Sequence, residues 1–223
     1  MNEDQRKIFQ SLIYPSLFVI VIWLVKIIEV IFGFDLRVFG LQPLHLAGLL
    51  GIITSPLIHE NFSHLFANSI PLFVLSGLLF YFYRVIAWRI VILSALLTGI
   101  WVWFIGSGDS IHIGVSGVVY ALASFLFLSG IIRRDTKLMA ITLLIAFLYG
   151  GMVWGVFPQL FPRERISWES HLMGIVAGVV LAVYFRKAGP QRTEYQWDED
   201  NEEDNPEEYQ GYEEEPEESP PNP

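Results

Sequence analysis

Six long apolar blocks dominate this chain and limit what it can fold into. They cover residues 12–33, 64–83, 89–105, 114–132, 138–156 and 169–185. A helix needs about 20 apolar residues to cross the hydrocarbon core of a bilayer, and each block is close to that length or longer. With an apolar fraction of 53% and a mean hydropathy of +0.46, the blocks predict an all-α polytopic membrane protein with six transmembrane helices.

The charges are divided between a mildly basic membrane body and an acidic tail. Residues 191–223 contain 14 of the 23 acidic residues and a single basic one. Residues 194–223 have almost no aliphatic side chains, so they cannot bury enough apolar area to offset the entropy of ordering. The tail is therefore predicted to be disordered over residues 188–223. The apolar blocks predict a membrane domain over residues 12–187, preceded by a cytoplasmic N-terminus over residues 1–11.

Composition excludes two classes of site. The chain has no cysteine, so it has no disulfide framework, no thiolate nucleophile and no metal site built on thiolates. The membrane body is only mildly basic and the tail is strongly acidic, so the chain also lacks the basic footprint that nucleic-acid-binding proteins use. The partner that composition does predict is the lipid bilayer, because six long apolar blocks need it as their solvent.

The basic residues of the loops predict the orientation of the chain in the membrane. One side would hold ten of them: Arg6, Lys7, Arg84, Arg89, Arg133, Arg134, Lys137, Arg186, Lys187 and Arg192. The other side would hold three: Arg37, Arg163 and Arg165. By the positive-inside rule both termini are expected in the cytoplasm. The first block has no small-residue cleavage site and is expected to stay as an anchor, giving an integral multi-pass protein of the plasma membrane.

The loop over residues 34–63 is unusually apolar but is not expected to form a seventh span. Pro43, Gly48, Gly51 and Pro56 divide it into pieces too short to cross a bilayer. Counting it as a span would also reverse every later helix and remove the charge asymmetry. We expect the loop to lie in the outer interface or to dip into it, and a long apolar loop of this kind tends to be functional.

Four polar residues inside the spans fall near one depth: His64, Asn68, Ser116 and His171. Counted at about 1.5 Å per residue from the basic residue at the cytoplasmic end of each helix, Asn68, Ser116 and His171 lie about 24, 26 and 22 Å away. His64 lies one turn from Asn68 on the same helix face. Polar groups cost free energy in a bilayer, which makes these residues functional candidates.

Taken singly, each of these features also has a structural interpretation. A serine in a membrane helix often bonds the carbonyl four residues earlier, and a lone histidine or asparagine often links two helices. The pairs Gly114/Gly117 and Gly174/Gly178 favour close helix packing. In the first span, Lys26 and Glu29 are predicted to form a structural ion pair, or to extend towards the interface.

Taken together, the polar residues have the chemistry of a serine hydrolase. Gly-x-Ser-Gly around Ser116 leaves the backbone open to close substrate approach. His171 can act as a base, while His64 and Asn68 can direct donors at a developing oxyanion. Since no aspartate lies in these spans at the same depth, the unit would be a Ser116–His171 dyad.

At these positions the chain resembles the rhomboid family of intramembrane serine proteases. The stretch from His59 through His64 to Asn68 is similar to the family's H-x4-H-x3-N motif. The nucleophile motif is matched by Gly114-Val-Ser116-Gly117 and the base motif by His171-Leu-Met-Gly174 with Gly178. The resemblance covers about residues 10–187, and it implies a six-transmembrane-helix rhomboid-like bundle.

The resemblance implies a role for each motif residue and no cofactor. Ser116 would be the nucleophile and His171 the general base. His64, Asn68 and the Ser116 backbone N–H would stabilise the oxyanion. Tyr120 would pack against the His171 ring and fix its orientation. Such enzymes cleave transmembrane helices of membrane proteins near the outer membrane face.

The resemblance also implies a lateral gate in the fifth span. Tyr149 and Trp154, beside Gly150 and Gly151, would control substrate entry, capped by residues 157–168. Bacterial members often carry a Trp-Arg pair in the first outer loop, and this chain has no tryptophan between residues 34 and 63. The anchoring of that loop is therefore expected to differ, without affecting the chemistry.

Two other functions compete with proteolysis. One is a rhomboid-like protein that binds membrane helices without cutting them, although such proteins usually lack the serine or the histidine. The other is a metal site formed by His59, His64 and His171, which would lack nearby carboxylate or thiolate ligands.

Overall fold

The computed structural model describes residues 2–157 and 167–191, and within them the chain is a bundle of helices. The six long helices are α1 (Glu3–Phe32), α2 (Phe62–Phe82), α3 (Ala87–Ile105), α4 (Ser116–Arg133), α5 (Thr136–Tyr149) and α6 (Trp168–Tyr184). Helices α1 to α4 are long and apolar enough to cross a membrane, whereas α5 and α6 are shorter apolar helices. The predicted all-α polytopic fold is confirmed.

Helix α1 begins well before the first apolar block. The Asn2 side chain accepts a hydrogen bond from the Gln5 backbone N–H at 2.9 Å, and the Gln5 side chain accepts one from the Asn2 N–H at 3.1 Å. This capping box satisfies donors at the helix start, so the helix includes the polar residues that hydropathy assigned to an N-terminal segment. It ends at Gly33, whose φ of 67° is the left-handed conformation that glycine adopts without strain.

The fifth span changes its helix type where the sequence predicted one continuous block. The α-helix ends at Tyr149, and residues Gly150–Val156 continue as a 3-10 helix of seven residues. Two consecutive glycines at positions 150 and 151 explain the break, because glycine is the weakest ordinary helix former. This stretch, Gly150–Val156, is called the gate segment below.

Helix α4 is the most enclosed helix, and glycines bring α6 against it. A Cβ at Gly174 would come within 3.0 Å of Tyr120 Cβ and would also contact the Gly117 carbonyl. A Cβ at Gly178 would collide with the Ala121 carbonyl. The two backbones are therefore in the close contact that small residues allow in membrane bundles. This packing sets the distance between the start of α4 and the start of α6.

The outer loop folds back onto the bundle through short helical turns. These are Leu36–Phe39, Leu46–Leu49, Gly51–Thr54 and Ser55–Leu57, none long enough to cross a bilayer. Leu41 exchanges two backbone hydrogen bonds with His112, at 2.9 and 2.8 Å. The Ser55 carbonyl accepts from the Gly114 N–H at 2.9 Å. The apolar loop therefore supports the segment that leads into α4.

An ion pair on α1 holds the end of the outer loop. Lys26 Nζ lies 2.8 Å from Glu29 Oε2, and both side chains are buried, as expected for a structural pair. The same ammonium donates to the carbonyls of His59 and Glu60, each at 3.0 Å. Glu29 also accepts from the Leu36 N–H at 3.3 Å. Charge pairing and hydrogen bonding together offset the cost of burying these groups.

A buried arginine joins α4 to the end of α6, at the end of the bundle opposite the outer loop. The Arg133 guanidinium donates to the carbonyls of Phe185 and Ala188 at 2.7 Å and of Pro190 at 2.5 Å. These contacts tie the segment that follows α6 to the end of α4. The predicted acidic tail beyond residue 191 lies outside the described residues.

Candidate active site

The side chains of Ser116 and His171 meet at the start of α4 and α6. Ser116 Oγ lies 3.0 Å from His171 Nε2, within hydrogen-bonding distance. The two residues are 8% and 9% exposed, so both are buried. Ser116 is the first residue of α4, and the first N–H groups of a helix have no intrahelical acceptor. Its backbone N–H is therefore free to bind an anionic atom.

A backbone carbonyl holds the other nitrogen of the His171 ring. His171 Nδ1 lies 2.9 Å from the carbonyl oxygen of Gly155 in the gate segment. A carbonyl can only accept, so Nδ1 carries the proton and Nε2 presents a lone pair to the Ser116 hydroxyl. The carbonyl thus orients the imidazole, as a carboxylate does in a Ser-His-Asp triad.

Tyr120 holds the same ring from its face. Its ring stacks on His171 with centroids 4.2 Å apart and planes inclined by 10°. Its hydroxyl donates to the Met152 carbonyl, also in the gate segment, at 2.6 Å. In this segment, the Gly155 carbonyl therefore holds His171, and the Met152 carbonyl holds the Tyr120 ring that packs on it. The role of Met152 and Gly155 was missed from sequence, because a backbone carbonyl is the same in every residue.

Position 155 has no room for a side chain larger than that of glycine. A Cβ there would lie 3.1 Å from His171 Nδ1 and would collide with the Tyr120 hydroxyl. By contrast, a Cβ at Gly150 or Gly151 would meet nothing within 4 Å. A glycine at position 155 is therefore the one sequence signal that could have pointed to this contact.

His64 and Asn68 flank the turn that leads into Ser116. Gly114 has a φ of 104°, which side-chain-bearing residues rarely adopt. A Cβ at Gly114 would lie 3.1 Å from His64 Nε2 and 3.9 Å from Asn68 Nδ2. Asn68 Nδ2 donates to the His64 carbonyl at 3.1 Å, which leaves its second N–H for another acceptor. Both donors are thus adjacent to the nucleophile motif.

His59 supports His64 from behind. Its ring meets the His64 ring edge to face, with centroids 5.2 Å apart, and is 1% exposed. Neither ring nitrogen of His59 has a hydrogen-bond partner within the described part of the chain. Burial lowers the pKa of this loop histidine to about 4, so it is neutral at pH 7. A neutral imidazole therefore packs against His64.

His112, which was not predicted, links the segment before Ser116 to the start of the helix that carries His171. His112 Nδ1 lies 2.5 Å from Ser167 Oγ, just before α6, and its Nε2 lies 2.9 Å from Ser110 Oγ. It stands two residues before Gly114 in a loop outside the spans. Only its proximity to the Gly-x-Ser-Gly motif could have marked it in the sequence. It ties the segment before the nucleophile to the helix that carries His171.

In the described part of the chain, the proposed gate residues form no hydrogen bond or ring contact with Ser116 or His171. Trp154 is 54% exposed, and its ring packs near Phe157 with centroids 6.3 Å apart. Tyr149 is half-buried against the apolar core. Residues 158–166 of the predicted cap lie outside the described residues. Gating by Tyr149 and Trp154 therefore stays a prediction.

No metal site accompanies these residues in the described ranges. Residues 2–157 and 167–191 contain no cluster of three or more histidine, aspartate or glutamate side chains that could hold an ion. His59 and His64 are paired, but His171 binds Gly155 and Ser116 instead.

Comparison with known proteins places the chain in a family. A family model described as Rhomboid domain matches residues 46–188, which include α2 to α6. An uncharacterized protein of Mycobacterium bovis is 37% identical over 187 residues, covering 78% of this chain and 74% of its own. One of Mycobacterium leprae is 33% identical over 194 residues, covering 79% and 71%.

A viral relative carries the family's name. This protein of Acanthamoeba polyphaga mimivirus, named a rhomboid protein, is 30% identical over 134 residues, covering 57% of this chain and 70% of its own. The domain match contains all three motifs and more than half of the chain. The resemblance read from those motifs is therefore confirmed, and the chain belongs to the Rhomboid family.

Proposed function

We propose that this protein is an intramembrane serine endopeptidase with Ser116 as nucleophile and His171 as general base. The proposal rests on the 3.0 Å distance between His171 Nε2 and Ser116 Oγ. It is supported by the Gly155 carbonyl, which orients the imidazole through Nδ1. A serine bonded to a histidine that a third group orients is the arrangement that activates a hydroxyl nucleophile.

Acylation would follow from these positions. As Ser116 Oγ attacks the carbonyl carbon of the scissile peptide, its proton passes to His171 Nε2. The negative charge that develops on the carbonyl oxygen is stabilised by N–H groups of Asn68, His64 and the Ser116 backbone. His171 then gives its proton to the departing amide nitrogen. The C–N bond breaks, the amine product leaves and an acyl ester remains on Ser116.

Deacylation would use the same groups on a water molecule. His171 Nε2 accepts a proton as the water oxygen attacks the ester carbonyl, and the same donors stabilise the second oxyanion. Collapse of that intermediate breaks the bond to Ser116 Oγ, which takes the proton back from His171. The products are an amine and a carboxylic acid, and the enzyme returns to its starting state.

The proposed substrates are transmembrane helices of other membrane proteins, cut near the outer face. Ser116 lies about 26 Å along α4 from Arg133 at the opposite, basic end of the bundle. If both termini are cytoplasmic, as the loop charges predict, this depth is near the outer face of a plasma membrane. A substrate helix must unwind there, because its peptide carbonyls are otherwise engaged in hydrogen bonds.

Labelling with a fluorophosphonate probe tests the nucleophile directly. Wild-type protein should be labelled, while Ser116→Ala and His171→Ala should lose labelling and remain folded. Ser16→Ala is a matched control, because Ser16 Oγ bonds the Leu12 carbonyl of its own helix at 2.8 Å and no other group among the described residues. Failure of the wild type to react would favour the alternative, a family member that binds membrane helices without cleaving them.

A further inference from the structure

A groove opens at the end of the bundle opposite the Ser116–His171 pair. It has a volume of about 580 Å³ and lies between the start of α1, the end of α2 and the start of α3. Six of the residues that line it are Lys7, Gln10, Tyr14, Tyr81, Arg84 and Trp88. They define the basic groove discussed here, which neither the proposed function nor the three motifs use.

Within residues 2–157 and 167–191, no carboxylate forms an ion pair with Lys7 or Arg84 of the groove. Lys7 and Arg84 are exposed, and the ion pairs formed among the described residues are Lys26–Glu29 and Arg37–Asp35. Gln10 adds an amide at the same surface. A groove with two unpaired cations and an amide donor is suited to an oxyanion such as phosphate.

The wall of the groove is aromatic. The Tyr14 ring packs edge to face on Trp88 with centroids 4.9 Å apart, and lies 5.0 Å from the Phe80 ring. Phe80 and Trp88 are themselves 5.4 Å apart. Tyrosine and tryptophan favour the headgroup level of a bilayer, where one edge of the ring is apolar and the other is wet.

We propose that this basic groove binds the headgroup of an anionic phospholipid. The phosphate would lie between Lys7 and Arg84, and the acyl chains would continue along the exposed apolar surface beside Tyr14 and Trp88. Basic pockets between transmembrane helices on the cytoplasmic side recognise such headgroups. Two unpaired cations favour a lipid with net negative charge over a zwitterionic one.

The aromatic wall favours a lipid over other anions. Free phosphate would use the cations but not the rings. The acidic tail over residues 194–223 could supply carboxylates, but it has almost no aliphatic side chains to cover the ring surface. A bound lipid would link α1 to α2 and α3 at this end, as the Lys26–Glu29 pair links α1 to the outer loop at the other.

Native mass spectrometry of the purified full chain in a neutral detergent tests the proposal. Phosphatidylglycerol should remain bound more tightly than phosphatidylcholine, and the double variant Lys7→Gln/Arg84→Gln should weaken this binding by roughly 30-fold. The control Lys137→Gln/Lys187→Gln removes the same charge at the same end, outside the groove, and should bind as the wild type does. Thermal unfolding with added lipid gives a second readout.

Three results would overturn the proposal. One is equal weakening by the two double variants, which would indicate nonspecific charge attraction. Another is full competition by inorganic phosphate or soluble glycerophosphoglycerol at the lipid's own concentration, which would assign the groove to phosphate alone. The third is lipid retention only after residues 193–223 are removed, which would assign the groove to the acidic tail. Proteolysis is not measured, so the outcome is independent of the proposed function.

Discussion

At the scale of single residues, the site depends on how the His171 ring is held. The Gly155 carbonyl fixes the proton on Nδ1, the Tyr120 ring fixes the plane, and Ser116 meets the remaining nitrogen. An imidazole held in this way needs no buried carboxylate. The absence of an aspartate at this depth, noted from the sequence, is therefore compatible with an activated serine.

Gly155→Ala should lower the rate of cleavage more than ten-fold. The added methyl group would press on His171 Nδ1 and the Tyr120 hydroxyl, shifting the imidazole away from Ser116. Gly151→Ala is the matched control, because its methyl group meets nothing within 4 Å and the substitution lies in the same segment. Comparing kcat for the two variants tests the contact. Similar kcat values in both would remove Gly155 from the positioning of the base.

Asn68→Ala should lower kcat by about 10²–10³-fold with little change in KM. Its amide lies beside the Gly114 turn, where it can donate to a charge that develops only in the transition state. Activity should not vanish, since His64 and the Ser116 N–H remain. Steady-state kinetics on one substrate measure both constants. A variant with wild-type kcat would show that Asn68 does not stabilise the oxyanion.

At the scale of helices and loops, the sequence predicted types and order better than ends and contacts. The apolar blocks gave six helices, because burial in lipid needs a long apolar run. They did not give the start of α1, which depends on the Asn2 capping box, nor the 3-10 turn after Tyr149. Gly155 and Met152 act through backbone carbonyls, which every residue has, so the sequence pattern could not predict these contacts.

Lys26→Met should destabilise the protein by about 3–5 kcal/mol, because Glu29 would be left charged in a buried site. The double variant Lys26→Met/Glu29→Leu should recover much of that loss by removing both charges. It should still cleave more slowly, since the carbonyls of His59 and Glu60 lose the ammonium that holds the loop. Unfolding curves and rates measured on the same preparations separate the two effects. If the double variant were as unstable as Lys26→Met, the unpaired charge of Glu29 would not be the cause of the lost stability.

Trp154→Ala should raise cleavage of a transmembrane substrate more than cleavage of a soluble peptide. Its exposed ring lies next to Gly155, where a substrate would enter sideways from lipid. A soluble peptide can approach from water and gains nothing from a wider entrance. If Trp154 is instead an interfacial anchor, as tryptophan often is, both rates should fall together. The ratio of the two rates distinguishes gate from anchor.

At the scale of the whole molecule, the Ser116–His171 pair and the basic groove lie at opposite ends of the bundle. The outer loop, the Gly114 turn and the gate segment converge on Ser116 and His171. Arg133 and the basic groove occupy the opposite end. The loop charges predict that the end with Arg133 and the basic groove faces the cytoplasm, because basic residues stay on that side, and this orientation stays a prediction.

Cleavage by the purified protein in lipid vesicles tests the central claim most directly. The substrate is a single transmembrane helix with a helix-breaking residue near its outer end, and the products are mapped by mass spectrometry. Wild type should cut once near that end. Ser116→Ala, His171→Ala and their double variant should all be inactive to a similar degree, because the two residues act as a unit. Robust cleavage by folded Ser116→Ala would contradict the serine mechanism.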